Sequence, residues 1–468
     1  MDPSDLAFAG VARQAELVRS GEVSPRELVE LYLDRIERLN PELRCFRTVY
    51  AERALAEADQ AQARLKAEAD RPLLGVPLAI KDNTDVAGDV TTHGTGAYGE
   101  PAREDAEVVR RVRAAGAILL GKTTVPELCI WPFTESATWG VTRNPWNPDR
   151  IPGGSSGGSG AAVASGMAPG ALGSDGGGSI RYPAAFCGLF GLKPQRGRIP
   201  LTPLAEHWYG LTVYGWLTRR VIDTALLCDV TAGPAPGDAD IPPPPPQPFA
   251  QAARTPPGKL RVAISTKVPP PSTGSVSKDM RAGFEETVEL LRSLGHEVRE
   301  ADPDYGVLLN WMVRYLRGIR DDAAAMPRPR RLERRTRHMA RMGGLISPAV
   351  LERARAAEPQ ITTRLNSVFA DHDVLLTPIT TGPAAEVGTW EGRGALLTLN
   401  GVGRLCPFAA PWNATGQPAA VVPVGVGAHG LPRAVQLVGR PNDEGTLLSL
   451  AAQIEAERPW AHRRPPLS

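Results

Sequence analysis

The sequence predicts an α/β fold in which helices pack on a mostly parallel but mixed β-sheet. One observation carries this, and two more bound what the chain can be. Amphipathic helical stretches alternate with short apolar strands. The chain is 468 residues long and 42% hydrophobic, enough for a sizeable core. Its net charge is +2, so nothing global points to nucleic acid or to an anionic membrane.

The elements follow in order. Ser24-Pro25-Arg26-Glu27 reads as a capping box with proline at the first helical position. It opens an amphipathic helix carrying Leu28, Leu31, Tyr32, Ile36 and Leu39. A helix rich in Ala, Glu and Gln follows over 51–68. Gly75 to Ile80 reads as a short apolar strand with Lys81 at its end. Asp105 starts a helix closed by Gly116, and 117–120 is a buried strand. The segment 279–300 repeats the helix–strand pattern. Residues 233–258 are rich in proline, with five in a row from Pro242 to Pro246. Such a stretch is an extended surface connection. The expected organisation is one domain over 1–468. It comprises N-terminal helices over 1–70, a core over 71–232, the connection over 233–258 and a C-terminal part over 259–468. The basic segment 327–341 reads as a solvated helix near an entrance, with an anion-attracting rim as the alternative.

Cys45, Cys129, Cys187, Cys228 and Cys406 are odd in number and show no CxxC spacing. They read as buried or free thiols of a reducing compartment, so a cytoplasmic location is expected. The opening MDPSDLAFAG lacks the basic and apolar regions of a secretory signal. No uncharged apolar run reaches membrane-span length. The seven histidines lack metal-ligand spacing, so neither metal nor cofactor is expected. The GxGxxG at 94–99 has no strand–turn–helix context. The GxSxG at 154–158 has no strand before it.

The chemistry concentrates between Pro152 and Arg198. Ser155 lies in GGSSGG and Ser179 in SDGGGSIR, while Lys81 ends GVPLAIK upstream. A serine hydroxyl is a poor nucleophile until a base takes its proton. A glycine run lets backbone N–H groups approach a reacting carbonyl closely. Serine, base and glycine-lined anion pocket are the parts of an acyl-transfer site. The amides of Gly176, Gly177, Gly178 and Ser179 are the candidate oxyanion donors.

This stretch resembles the signature of the amidase signature family. The spacing from Ser155 to Ser179 and the lysine closing GVP-x-x-x-K are similar to that family's pattern. TRNPWNPDR at 142–150, NATGQPAAVVPVG at 413–425 and LPRAVQLVGRPNDEGTLL at 431–448 extend the resemblance over nearly the whole chain. The resemblance implies one large twisted sheet covered by helices on both faces. It implies a Ser–cisSer–Lys relay of Ser179, Ser155 and Lys81, with Ser155 following a cis peptide bond. Neutral Lys81 would take a proton from Ser155, and Ser155 one from Ser179, which attacks the carbonyl. Lysine can do this only if burial lowers its pKa. Asp82 is expected to point away along the strand. Asp175 and Arg181 are expected to hold the nucleophile turn as an ion pair. Ser159 and Ser174 are expected to bond backbone in loops, and Cys187 to be core.

The expected substrate is a small apolar or aryl amide, with esters and carbamates as further candidates. Cys129, Ile130, Trp131 and Phe133 are the expected pocket residues. Trp139 and the amphipathic stretch Trp311, Met312, Tyr315 and Leu316 are secondary candidates. The expected assembly is a monomer or homodimer, without nucleic-acid or membrane partners. Two other readings stand beside it. One is the amidase subunit of a glutamyl-tRNA amidotransferase, although Tyr182 occupies the position where that subunit usually has glutamine. The other is a catalytically silent scaffold.

Overall fold

The computed structural model describes residues 1–68 and 70–468. Eleven strands form one sheet. In chain order they are β1 Phe46–Val49, β2 Pro77–Lys81, β3 Ile118–Thr123, β4 Gly170–Asp175, β5 Phe190–Lys193 and β6 Val213–Thr218. Then come β7 Arg261–Ile264, β8 Glu297–Glu300, β9 Val374–Pro378, β10 Ala419–Val426 and β11 Pro432–Gly439. Their order across the sheet is β1-β3-β2-β4-β6-β5-β10-β11-β9-β7-β8. Strands from both sides of the proline-rich connection therefore share the sheet.

The helices that bear on the site are α1 Pro25–Leu43, α2 Gly157–Ala164, α3 Arg181–Cys187, α4 Leu308–Ala325, α5 Arg334–Gly344 and α6 Ala395–Leu405. The capping box of α1 forms as read. Glu27 N–H donates to Ser24 Oγ, and the Glu27 carboxylate accepts from Ser24 N–H.

The expected mostly parallel sheet needs correction. Parallel pairing joins β3 to β2, β2 to β4, β9 to β7 and β7 to β8. The six other neighbouring pairs, including the central run from β4 to β9, are antiparallel. Two boundaries also move. The helix expected over 51–68 ends at Arg64. Asp105 lies ahead of the helix Glu107–Ala114, where its carboxylate accepts from Ala87 N–H and pairs with Arg113.

Strand periodicity sorts the core into two layers. Leu78 and Ile80 pack on one face with Leu119, Leu172 and Trp216. Ala79 packs on the other with Leu120, Ala171, Leu217 and the alanines of α2. The period of two puts Lys81 on the side of Ala79. β2 and β4 run parallel, so their C-terminal ends lie together at one edge of the core. That is where sites on parallel strands gather.

Candidate active site

Lys81 terminates β2 and is fully buried. Its Nζ lies 2.8 Å from Ser155 Oγ, 2.8 Å from Ser174 Oγ and 3.3 Å from the Ser174 carbonyl oxygen. Burial pushes the Lys81 ammonium from 10.5 down to about 8, against the raising influence of the Asp175 carboxylate. Asp82 diverges from it and binds Arg47 and Lys122 at 3.0 and 3.3 Å.

Ser174 was expected to bond backbone in a loop. Instead it lies on β4, and its hydroxyl meets Lys81 and accepts from Asn83 Nδ2 at 2.9 Å. Three oxygens thus surround Nζ, one for each proton of an ammonium. Ser159, also expected in a loop, sits inside α2 and bonds to Leu172 and Thr123.

The Gly154–Ser155 peptide bond is cis. Gly154 rests on the backbone of the 131–133 segment. A Cβ there would come within 2.6 Å of Phe133 N and the Trp131 carbonyl oxygen. Ser156 is the N-cap residue of α2, and its N–H donates to the Ser179 carbonyl oxygen at 3.2 Å. The Ser155 and Ser156 neighbourhood is thereby pinned against the loop that carries Ser179.

That loop runs from the end of β4 into α3. Arg181 and Asp175 form a fully buried ion pair at 2.9 Å. Burial alone would raise the Asp175 carboxyl. The Arg181 charge and hydrogen bonds from Arg181 and Asn413 outweigh it and hold the group well below the usual carboxylate range. Asp175 Oδ1 also accepts from Gly178 N–H at 2.6 Å, and Oδ2 from Ile180 N–H at 3.1 Å. The Gly178 amide therefore points at Asp175, which narrows the expected oxyanion set to Gly176, Gly177 and Ser179. Gly178 itself has φ +118°, and a Cβ there would strike the Tyr182 ring. Trp311 Nε1 donates to the Gly176 carbonyl oxygen at 2.8 Å and ties α4 to the loop.

Ser179 is half-buried and opens into a cavity of about 270 Å³. Among the described residues its hydroxyl has no hydrogen-bond partner, so the Ser155–Ser179 link is open. Catalytic hydrogen bonds often close only around a bound substrate. Cys129, Ile130 and Trp131 line the cavity, and so do Trp311, Met312 and Tyr315. Burial raises the pKa of the Cys129 thiol, which stays neutral beside Lys81 and Ser155.

Phe133 does not line the cavity. It is fully buried behind it, stacked between Trp131 and Trp390 with ring centroids 5.7 and 4.7 Å apart. Leu316 and Trp139 also lie outside the lining. The basic segment is only partly solvated. Arg335 lies over the Trp131 and Phe133 rings at 5.2 and 5.0 Å and so braces the cavity wall. Sequence reading missed Trp208, which meets Tyr315 edge-on at 5.1 Å, and the α6 residues of the cavity. Tyr182 lines the cavity, and its hydroxyl donates to the Cys406 carbonyl oxygen at 2.5 Å.

The amidase family model matches residues 27–448. The chain belongs to the amidase signature family. A Mycobacterium tuberculosis protein named as an amidase, AmiB2, is 54% identical over the full length of both chains. The 6-aminohexanoate-cyclic-dimer hydrolase of Pseudomonas sp. strain NK87 is 37% identical, covering 97% of this chain and 96% of its own. A solved 6-aminohexanoate cyclic dimer hydrolase superposes with a TM-score of 0.92 at 34% identity, covering 98% of this chain and 99% of its own. The protein is an amidase signature hydrolase acting on amides, and its 11-stranded mixed sheet is that family's fold. Among the described residues no helix is long and apolar enough to cross a membrane, and all five cysteines are buried free thiols.

Proposed function

We propose that the protein hydrolyses small apolar or aryl amides through an acyl-enzyme on Ser179. Neutral Lys81 accepts a proton from Ser155, which accepts one from Ser179 as its oxygen attacks the carbonyl carbon. The carbonyl π electrons move onto oxygen, which the amides of Gly176, Gly177 and Ser179 stabilise. The proton returns along the relay to the leaving amine as the C–N bond breaks. Water enters by the same route and releases the acid. Esters pass through a similar tetrahedral intermediate and are expected substrates; carbamates are a further candidate. The observation that carries the reading is the 2.8 Å contact of buried Lys81 with Ser155, beside a cavity that exposes Ser179. The aromatic lining favours an apolar body, and a relative named for hydrolysing a cyclic amide is in keeping with it.

A panel of an aryl anilide, a 4-nitrophenyl ester and an aryl carbamate tests this by product release. Turnover of the anilide is the expected result, and its absence in folded protein contradicts the reading. Lysine must be neutral to act, so kcat/KM should fall tenfold per pH unit below about 8. At pH 7 about a tenth of the enzyme is then active. Ser174→Ala removes an acceptor from the Lys81 ammonium. The acid limb of that profile should move to lower pH, with kcat reduced about tenfold. A profile that falls in rate without moving would assign Ser174 a structural role only.

A further inference from the structure

The Ser179 cavity is lined by uncharged side chains, with a single cation left over. Its floor is buried and includes Trp131, Tyr182 and Cys406. Its outer rim carries Asn400 and Arg404, both exposed. They stand four residues apart on α6, which stacks their side chains on one helix face. Arg404 is the sole charged residue lining the cavity among the described residues.

The backbone beneath them is fixed. Thr381 Oγ1 donates to the Arg404 carbonyl oxygen at 2.7 Å, and Ser272 Oγ to that of Gly403 at 2.8 Å. The Arg404 guanidinium, however, has no carboxylate within ion-pair reach among the described residues. The buried arginines near the site are engaged: Arg181 by Asp175, and Arg314 by Glu358 at 2.8 Å. The proton relay proposed above uses no cation at the rim, so Arg404 is unexplained by it.

We propose that Asn400 and Arg404 form a subsite for the far end of the substrate, and that this end is a carboxylate. Arginine offers a planar fork of donors matched to two carboxylate oxygens, and the asparagine amide adds a third donor beside it. The substrate class is then an amide whose apolar body fills the aromatic cavity and whose distal end is anionic. This placement rests on the hydrolase reading, which puts the scissile bond at Ser179.

Glutaryl-4-nitroanilide and hexanoyl-4-nitroanilide test it, being alike in length and different in end charge. Binding is measured calorimetrically on Ser179→Ala protein, so that no turnover interferes. The glutaryl compound should bind about 5–10-fold tighter, and less so at high salt. Adding Arg404→Gln should bring the two within twofold, and Arg404→Glu should reverse the order. Equal binding before the arginine is changed, or a preference that survives Arg404→Gln, overturns the subsite. Release of nitroaniline from the hexanoyl compound by wild-type enzyme reports on the hydrolase reading separately. Its absence alongside an Arg404-dependent charge preference would fail that reading and support the subsite.

Discussion

Lys81→Met should lower kcat by about 10³–10⁴-fold and leave the fold standing. Methionine fills much of the lysine's space but has no basic nitrogen, so in the proposed relay Ser155 would lose its proton acceptor. Stability should move the other way. Lys81 titrates at about 8 in the folded protein, against about 10.4 in the unfolded chain. Below pH 8 both states are charged, and the folded state carries the full burial penalty, about 3 kcal/mol. The penalty disappears as pH rises through the unfolded value. Methionine removes it, so the variant's Tm at pH 7 should be equal to or higher than wild type. Calorimetry beside anilide kinetics checks both halves. Retained turnover would remove Lys81 from the chemistry, and a collapsed Tm would make its role structural.

Arg181→Met has the largest expected effect on stability, a loss of about 3–5 kcal/mol. Arg181 reaches Asp175, the Ala409 carbonyl oxygen at 3.0 Å and Gln436 Oε1 at 2.8 Å, and all of this is buried. Without the cation, the Asp175 carboxylate is left uncompensated in the core. Chemical denaturation should show the loss, and adding Asp175→Asn should restore part of it. The pH dependence follows from the same pair. The folded value of Asp175 lies below its unfolded value near 3.9, so its stabilisation is present above that pH and lost as pH falls through the folded value. An Arg181→Met protein as stable as wild type would contradict this account of the loop.

What was legible in the sequence was mostly local. The capping box at Ser24, the strand that ends at Lys81 and the divergence of Asp82 all follow from neighbours a few residues away. The central antiparallel run was not legible. β5, β6 and β10 are short or almost continuously apolar, and such runs carry no signal of direction or partner. Ser174 was misjudged because its contact with Lys81 depends on β2 lying beside β4, across 93 residues of sequence. Arg335 looked solvated because a basic composition does not reveal which arginine turns back onto Trp131. The Gly178 amide did leave a signal. An aspartate just ahead of a glycine turn commonly accepts from the amides that follow, and Asp175 does so here.

The most direct test of the account is the intact mass of the protein after exposure to a fluorophosphonate, with the adduct mapped by peptide digestion. The expected result is one adduct, on Ser179, that abolishes anilide turnover and fails to form in Ser179→Ala. An adduct on another residue, or Ser179→Ala protein that still turns over the anilide, would contradict it.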